Sequence, residues 1–330
     1  MGHPIRGGSL VLLAALLAAC GGSGSSEDSE ATRTAERIAH GGALAARVAQ
    51  THPACQAIRP FYWEVGDTRG VLAGGSVGSG APGATTAMPI ASASKWVWSA
   101  YVVQRRGGVL SDADVKFLTF RSGYHSMGAL SCDDAQTVDA CLDTGSNGRY
   151  TRLHDGKFFY NGGHMQRQAH ELGLGAYGPA ALTAEVSGKI GQFGFIYTAP
   201  QPPGGLIASA TQYGAFLRRL LDGSLLLGRR LGDEAVCTNP LTCADAVDTP
   251  VPPSLSWHYA LGHWVEDDPQ AGDGAFSSPG AFGFYPWIDP WTRSYGVIAR
   301  QRLSGEQEGF ASAQCGYQIR RAWRSGGALS

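Results

Sequence analysis

Lysine is scarce in this 330-residue chain, no run of basic residues occurs, and no Cys-x-x-Cys pair is present. With a formal charge of −1 and no basic run, nucleic-acid binding has no electrostatic support. Without Cys-x-x-Cys ligands, and with His164/His170 and His258/His263 spaced off any shared helix face, no metal site is expected. Internal repeats are also lacking. The apolar run at the N-terminus, Leu10 to Ala19, is too short to span a bilayer. What remains is a globular composition, 43% hydrophobic, in a length that suits one large domain or two small ones.

The scarcity of lysine makes one local pattern informative. Ser92-Ala93-Ser94-Lys95 places a hydroxyl and an ammonium three residues apart, on one face of a helix. The other lysines, Lys116, Lys157 and Lys189, have Ala113, His154 and Val186 at that spacing, so Lys95 alone makes the pair. A serine hydroxyl is a poor nucleophile until a neighbouring base takes its proton, and a lysine does so once its own pKa is lowered. A helix start favours the developing alkoxide and disfavours the charged amine. The run Trp96 to Val103 is apolar nearly all round, as in a helix buried between layers, and ends at Arg105-Arg106-Gly107-Gly108. The alternative is a helix N-cap serine beside a snorkelling lysine.

The N-terminus carries Arg6, a short apolar core and Leu17-Ala18-Ala19-Cys20. This resembles a bacterial lipobox, so 1–20 is expected to be a lipoprotein signal cleaved before a lipidated Cys20. Residues 21–35 read as a flexible tether, placing the protein at a membrane surface in the bacterial cell envelope. Six further cysteines remain: Cys55, Cys132, Cys141, Cys237, Cys243 and Cys315. An even number in an exported chain suggests disulfides, and two pairs sit close in sequence.

Helical periodicity covers 35–50, and 61–65 and 70–74 read as paired strands around a turn. From 110 to 204 the chain reads as helices and loops. Strand character returns at 257–265, 280–288 and 295–302, and 318–324 reads as a closing helix. The expected fold class is α+β: one sheet from both chain ends, flanked by helices, with a helical part inserted. The single domain is placed at 36–330, with 36–90 and 250–330 in the sheet part and 91–249 mainly helical. Two patterns mislead. Gly74-Gly75-Ser76-Val77-Gly78 fits a nucleophile elbow but precedes a Gly/Pro loop rather than a helix. Gly173 to Gly178 fits a dinucleotide fingerprint but follows a helical segment.

In this order the pieces resemble the serine β-lactamase and penicillin-binding-protein superfamily, in particular its class C-like esterase branch. Met88 to Lys95 looks like the nucleophile segment, and Gly108 to Val115 like the passage that follows its helix. Ser122-Gly123-Tyr124, Gly204 to Ser209 and Phe216 to Leu221 continue the similarity, which covers roughly 36–325. The resemblance implies a β-lactamase-like fold with the chain ends on neighbouring elements, and hence pairs Cys55–Cys315, Cys132–Cys141 and Cys237–Cys243.

It also implies site residues. The family's Tyr-x-Asn motif is matched by Tyr160-Asn161, with the asparagine one residue early, so Tyr160 is the expected second proton carrier and Asn161 a substrate amide. A downward pKa shift of Tyr160 by Lys95 is expected with that role. Where the family has Lys-Thr-Gly or His-x-Gly on a strand, this chain has Ser278-Pro279-Gly280. Ser278 stands in place of the cation, and the Gly280 strand is expected to help bind substrate and its oxyanion. The expectation is a serine hydrolase that acylates Ser92 and takes a neutral small-molecule ester or amide, with no metal or organic cofactor. A β-lactamase or D-Ala-D-Ala carboxypeptidase, and an envelope binding protein that keeps the fold without turnover, are the alternatives.

Overall fold

A computed structural model describes residues 24–128, 132–303 and 307–326. Cys20 and the signal segment lie outside the described residues. Eight strands of the described chain form one antiparallel sheet: β1 (Phe61–Gly66), β2 (Val71–Val77), β3 (Val236–Cys237), β4 (His258–Tyr259), β5 (Trp264–Glu266), β6 (Ala275–Ser277), β7 (Tyr285–Asp289) and β8 (Ser294–Ala299). Their order is β2-β1-β8-β7-β6-β5-β4-β3, so β1 pairs directly with the last strand, β8, and β2 pairs with β1 at the edge. The sheet is thus assembled from both ends of the chain, and the middle contributes only the two-residue edge strand β3.

Among the described residues, the helices of seven residues or more are α1 (Gly24–Thr51), α2 (Ser94–Arg105), α3 (Asp112–Leu118), α4 (Gly163–Glu171), α5 (Pro179–Ile190), α6 (Ala210–Leu221) and α7 (Glu308–Ser325). Strand alternation decides which helix each face meets. On one face Arg218 of α6 donates to the Tyr295 hydroxyl at 3.1 Å, which in turn reaches Glu64. On the other, Arg320 of α7 donates to Tyr285 at 3.0 Å and lies over the Trp287 ring. Gly316 of α7 is required there, because a Cβ would meet the Tyr285 ring at 2.4 Å. The helices at the two chain ends, α1 and α7, pack side by side, and α7 begins earlier than its sequence pattern suggests.

α2 is buried from Ser94 through Val103, which is why its sequence is apolar on every face. Trp98 donates its indole N–H to Gln168 of α4, and Trp96 stacks on His263 at the β4–β5 turn. Gly107 and Gly108, with φ of 61° and 87°, take the chain out of the helix. α3 and α6 both open on capping boxes, Ser111 with Asp114 and Ser209 with Gln212.

The expected tether is corrected from Gly24 onward, because 24–35 continues α1 as helix. Extending an existing helix costs far less than starting one, and this stretch holds good helix formers such as Glu30, Ala31 and Ala35. All three expected disulfides form, with Cys55 and Cys315 Cα atoms 4.7 Å apart. Their presence marks an extracytoplasmic protein. Among the described residues no helix is long and apolar enough to cross a membrane. Ser76 lies on β2 with its hydroxyl on the Pro82 carbonyl, and Gly173 to Gly178 is the turn between α4 and α5.

Candidate active site

Ser92 lies in a short 3-10 turn, Ala91–Ala93, that runs directly into α2. The turn is strained, since Ala91 is held at φ 45°, a left-handed conformation costing on the order of 1 kcal/mol for a residue with a Cβ. Distant segments hold it in place. Ile90 N–H donates to Leu206 O at 3.0 Å, the Tyr213 hydroxyl donates to Ala93 O at 2.8 Å, and the Ser278 hydroxyl donates to Ser92 O at 3.1 Å. The Ser92 side chain makes no capping bond, which removes the N-cap reading. Its hydroxyl instead faces Lys95.

Lys95 projects from the first turn of α2 and places Nζ 2.7 Å from Ser92 Oγ. Nζ also donates to the Pro203 carbonyl at 3.2 Å. No carboxylate bonds to it among the described residues. Burial without a counter-ion pushes its pKa down from 10.5 to about 7. A large fraction of the amine is therefore free base at neutral pH, within hydrogen-bond distance of the Ser92 hydroxyl.

Tyr160 follows the two-residue strand Phe158–Phe159, which Asp245 O and Phe120 O hold through the Phe158 and Phe159 N–H groups. Its own N–H donates to Asp248 O at 3.1 Å. The ring stacks on Trp264 with centroids 5.3 Å apart, and Lys95 Nζ lies 5.1 Å from its centroid. Lys95 bonds to Ser92 and lies over the Tyr160 ring, so the expected meeting of Ser92, Lys95 and Tyr160 occurs. The expected acidification does not. Burial pushes the phenol up to about 12, and the buried Lys95 lies over the ring face. At neutral pH Tyr160 is therefore a neutral phenol rather than a phenolate.

Three expected substrate contacts are corrected. Asn161 turns its amide to the Met127 backbone, accepting from its N–H and donating to its carbonyl, both at 3.1 Å, while Oδ1 also takes Gly163 N–H. It ties α4 to the loop after Tyr124. Ser278 is 3% exposed, and its hydroxyl is spent on Ser92 O, so it braces the nucleophile turn. Gly280 lies in a loop after β6, not on a strand, and gives its N–H to Phe284 O at 2.8 Å. Its lack of a side chain matters, because a Cβ would sit 2.1 Å from Ile90 O. By contrast, the Ser92 N–H has no protein acceptor among the described residues.

Several supporting groups escaped the sequence reading. The Pro203 carbonyl and the Tyr213 hydroxyl carry no motif of their own. Ser122 was visible as part of a Ser-Gly turn, and it donates to His164 Nδ1 at 2.7 Å while His164 Nε2 donates to Phe159 O. This is not a second catalytic dyad. His164 is fully buried, and burial lowers its pKa to about 3, so it is a weak base that spaces α4 from the Tyr160 segment. Among the described residues no cluster of three His, Cys, Asp or Glu side chains is placed to hold a metal.

Neither a protein-family model nor a curated relative matches this chain. Solved structures do. A D-amino acid amidase from Ochrobactrum anthropi SV3 superposes with a TM-score of 0.61 at 13% identity, covering 89% of this chain and 99% of that one. A penicillin-binding protein from Bacillus halodurans gives 0.56 at 14% identity, covering 80% and 98%. A β-lactamase from Mycobacterium bovis gives 0.52 at 15%, covering 80% and 96%. At these identities the likeness is one of fold, and the fold is β-lactamase-like.

Proposed function

We propose that this protein is a serine hydrolase that cleaves a neutral ester or amide through an acyl-enzyme on Ser92. The observation that carries the reading is the 2.7 Å contact between Ser92 Oγ and a buried lysine whose pKa has fallen to about 7. Lys95 takes the serine proton as Oγ attacks the acyl carbon. The Ser92 N–H, open to a ligand, stabilises the oxyanion. Tyr160 gives its proton to the leaving oxygen or nitrogen and regains one from the Lys95 ammonium. Water then releases the acyl group by the same steps in reverse. The solved structures that share the fold include an amidase, which makes amides as eligible as esters. A membrane anchor on Cys20 and a place in the bacterial cell envelope belong to the same proposal.

Neutral substrates are favoured because the position of the family's cation holds Ser278. Arg300, which could supply a charge from another element, is 3% exposed and bound to Glu308 and Ser312. Arg121 donates to the Thr119 hydroxyl, and Arg293 lies in the β7–β8 turn. A charge-assisted hydrogen bond to a substrate carboxylate is worth about 1.5–3 kcal/mol, so its loss costs an anionic β-lactam roughly ten- to a hundred-fold. Purified protein is expected to hydrolyse a p-nitrophenyl ester faster than nitrocefin, and equal rates would return the β-lactamase alternative. Intact-mass spectrometry with a fluorophosphonate tests the nucleophile: one adduct on Ser92, none in Ser92→Ala. An adduct on Ser76 or Ser94 would overturn the assignment.

A further inference from the structure

We infer that His164 is the positioning residue for Tyr160, its imidazole holding the carbonyl of the peptide that carries the phenol. The inference rests on the acyl-enzyme reading above, with Tyr160 as its proton donor. The peptide joining Phe159 to Tyr160 offers one acceptor and one donor, and both are taken. Its carbonyl accepts from His164 Nε2 at 3.0 Å, and its N–H donates to Asp248 O at 3.1 Å. The plane of this peptide is therefore held at both edges. Of the two partners, only His164 acts through its side chain.

An imidazole suits this task. Phe159 O can only accept, so the ring proton lies on Nε2, and Nδ1 accepts from the Ser122 hydroxyl at 2.7 Å. His164 is fully buried near the start of α4, and its ring stacks on Phe120 with centroids 5.1 Å apart at 12°. Burial keeps the ring neutral, so its donor does not come and go with pH. Phe120 supports the same segment, since its carbonyl takes Phe159 N–H at 3.0 Å and its ring meets Tyr160 edge-on at 5.3 Å. It stands just past α3 at φ 57°, a left-handed conformation that favours glycine at a helix end. A phenylalanine persists there because its ring and its carbonyl are both built into the support of Tyr160.

The test uses the dependence on leaving group. A p-nitrophenolate departs without a proton, whereas an alkoxide needs one, so a misplaced phenol harms one ester and spares the other. His164→Leu removes the donor and keeps a similar volume. It is expected to lower kcat on a methyl ester ten- to a hundred-fold with KM within twofold, and kcat on the p-nitrophenyl ester less than threefold. His164→Gln, which restores an N–H donor, is expected to recover most of the methyl-ester rate. Ser122→Ala leaves the ring in place and removes only the partner of Nδ1. It is expected to cost the methyl ester three- to tenfold with the same selectivity, and it covers the case in which the Leu variant fails to fold. Adding His164→Leu to Tyr160→Phe is expected to cost the methyl ester nothing more, because the phenol it served is gone. The rise of kcat/KM through about pH 7, set by Lys95, is expected to stay in place in every variant. Equal losses on both esters, losses that multiply in the double variant, a Gln variant no better than Leu, or a displaced pH profile overturn the inference while leaving the acyl-enzyme reading intact. Full methyl-ester activity in Tyr160→Phe removes the tyrosine from the mechanism and the role of His164 with it. Failure of the acyl-enzyme reading itself shows separately, as a missing fluorophosphonate adduct on Ser92.

Discussion

Lys95 combines burial with neutrality in a way that makes its contributions to rate and to stability opposite in sign. Only the free amine accepts the Ser92 proton, so kcat/KM is expected to rise with pH through about 7 and level above it. In the unfolded chain the ordinary lysine value of about 10.5 applies. Below pH 7 both states carry the ammonium, and folding bears the full cost of burying it. Between about 7 and 10.5 the folded amine is already neutral, so this cost is progressively lifted as pH rises. Lys95→Met fills the same space without a charge. It is expected to abolish turnover yet raise Tm, with a gain in stability of about 1 kcal/mol or more at pH 6 and less at pH 9. Scanning calorimetry at the two pH values checks this, and a lower Tm at pH 6 would show that Lys95 is not destabilised in the folded protein.

At the scale of elements, the site depends on short segments braced by others far away in sequence. Tyr160 has no long strand to hold it. Its segment is bound through Asp245 O and Asp248 O, which belong to the stretch following the Cys237–Cys243 loop. Within that stretch Ala246 N–H donates to Cys243 O, and Cys237 on β3 pairs with His258. The disulfide therefore joins the edge of the main sheet to the backbone that positions the phenol. Cys237→Ser with Cys243→Ser is expected to lower kcat on a methyl ester about tenfold, because a small displacement of an aligned proton donor is costly. The expected change in Tm is small, since the disulfide closes a short loop at the sheet edge. Unchanged kcat in steady-state assays would mean that the pairing of 158–160 with 245–248 needs no staple.

Across the whole molecule, α7 is the closing element, and it is fastened twice. Cys315 joins it to Cys55 before β1, and Arg320, fully buried, pairs with Glu266 and Asp273 at 2.7 Å while Arg324 pairs with Asp289. The 260-residue separation makes the disulfide the larger constraint on the unfolded chain, about 5 kcal/mol in the chain-entropy model. Cys55→Ser with Cys315→Ser is expected to lower Tm by roughly 5–10 °C. Activity at 25 °C is expected to stay within twofold, because the buried ion pairs still hold α7 on the sheet. Circular dichroism melts and an ester assay on the same sample read both, and an unchanged Tm would assign the closure to the Arg320 cluster alone.

What the sequence by itself determined was local. The three-residue spacing of Ser92 and Lys95, the all-apolar α2, the glycine exit at Gly107-Gly108 and the hairpin of β1 and β2 follow from helical and strand periods that act within a few residues. The placing of strand patterns near both chain ends pointed to one sheet built from the two, and the family likeness added the pairing of Cys55 with Cys315. Tertiary structure alone decided the chemistry of each group. The fall in the Lys95 pKa comes from burial beside the Pro203 carbonyl, over a hundred residues away. Burial also keeps Tyr160 protonated, and Ser278, Asn161 and the Gly280 N–H are already occupied by Ser92, Met127 and Phe284. Spacing along the chain sets which side chains can meet. Desolvation, and the competition for each donor and acceptor, depend on atoms that only folding brings together.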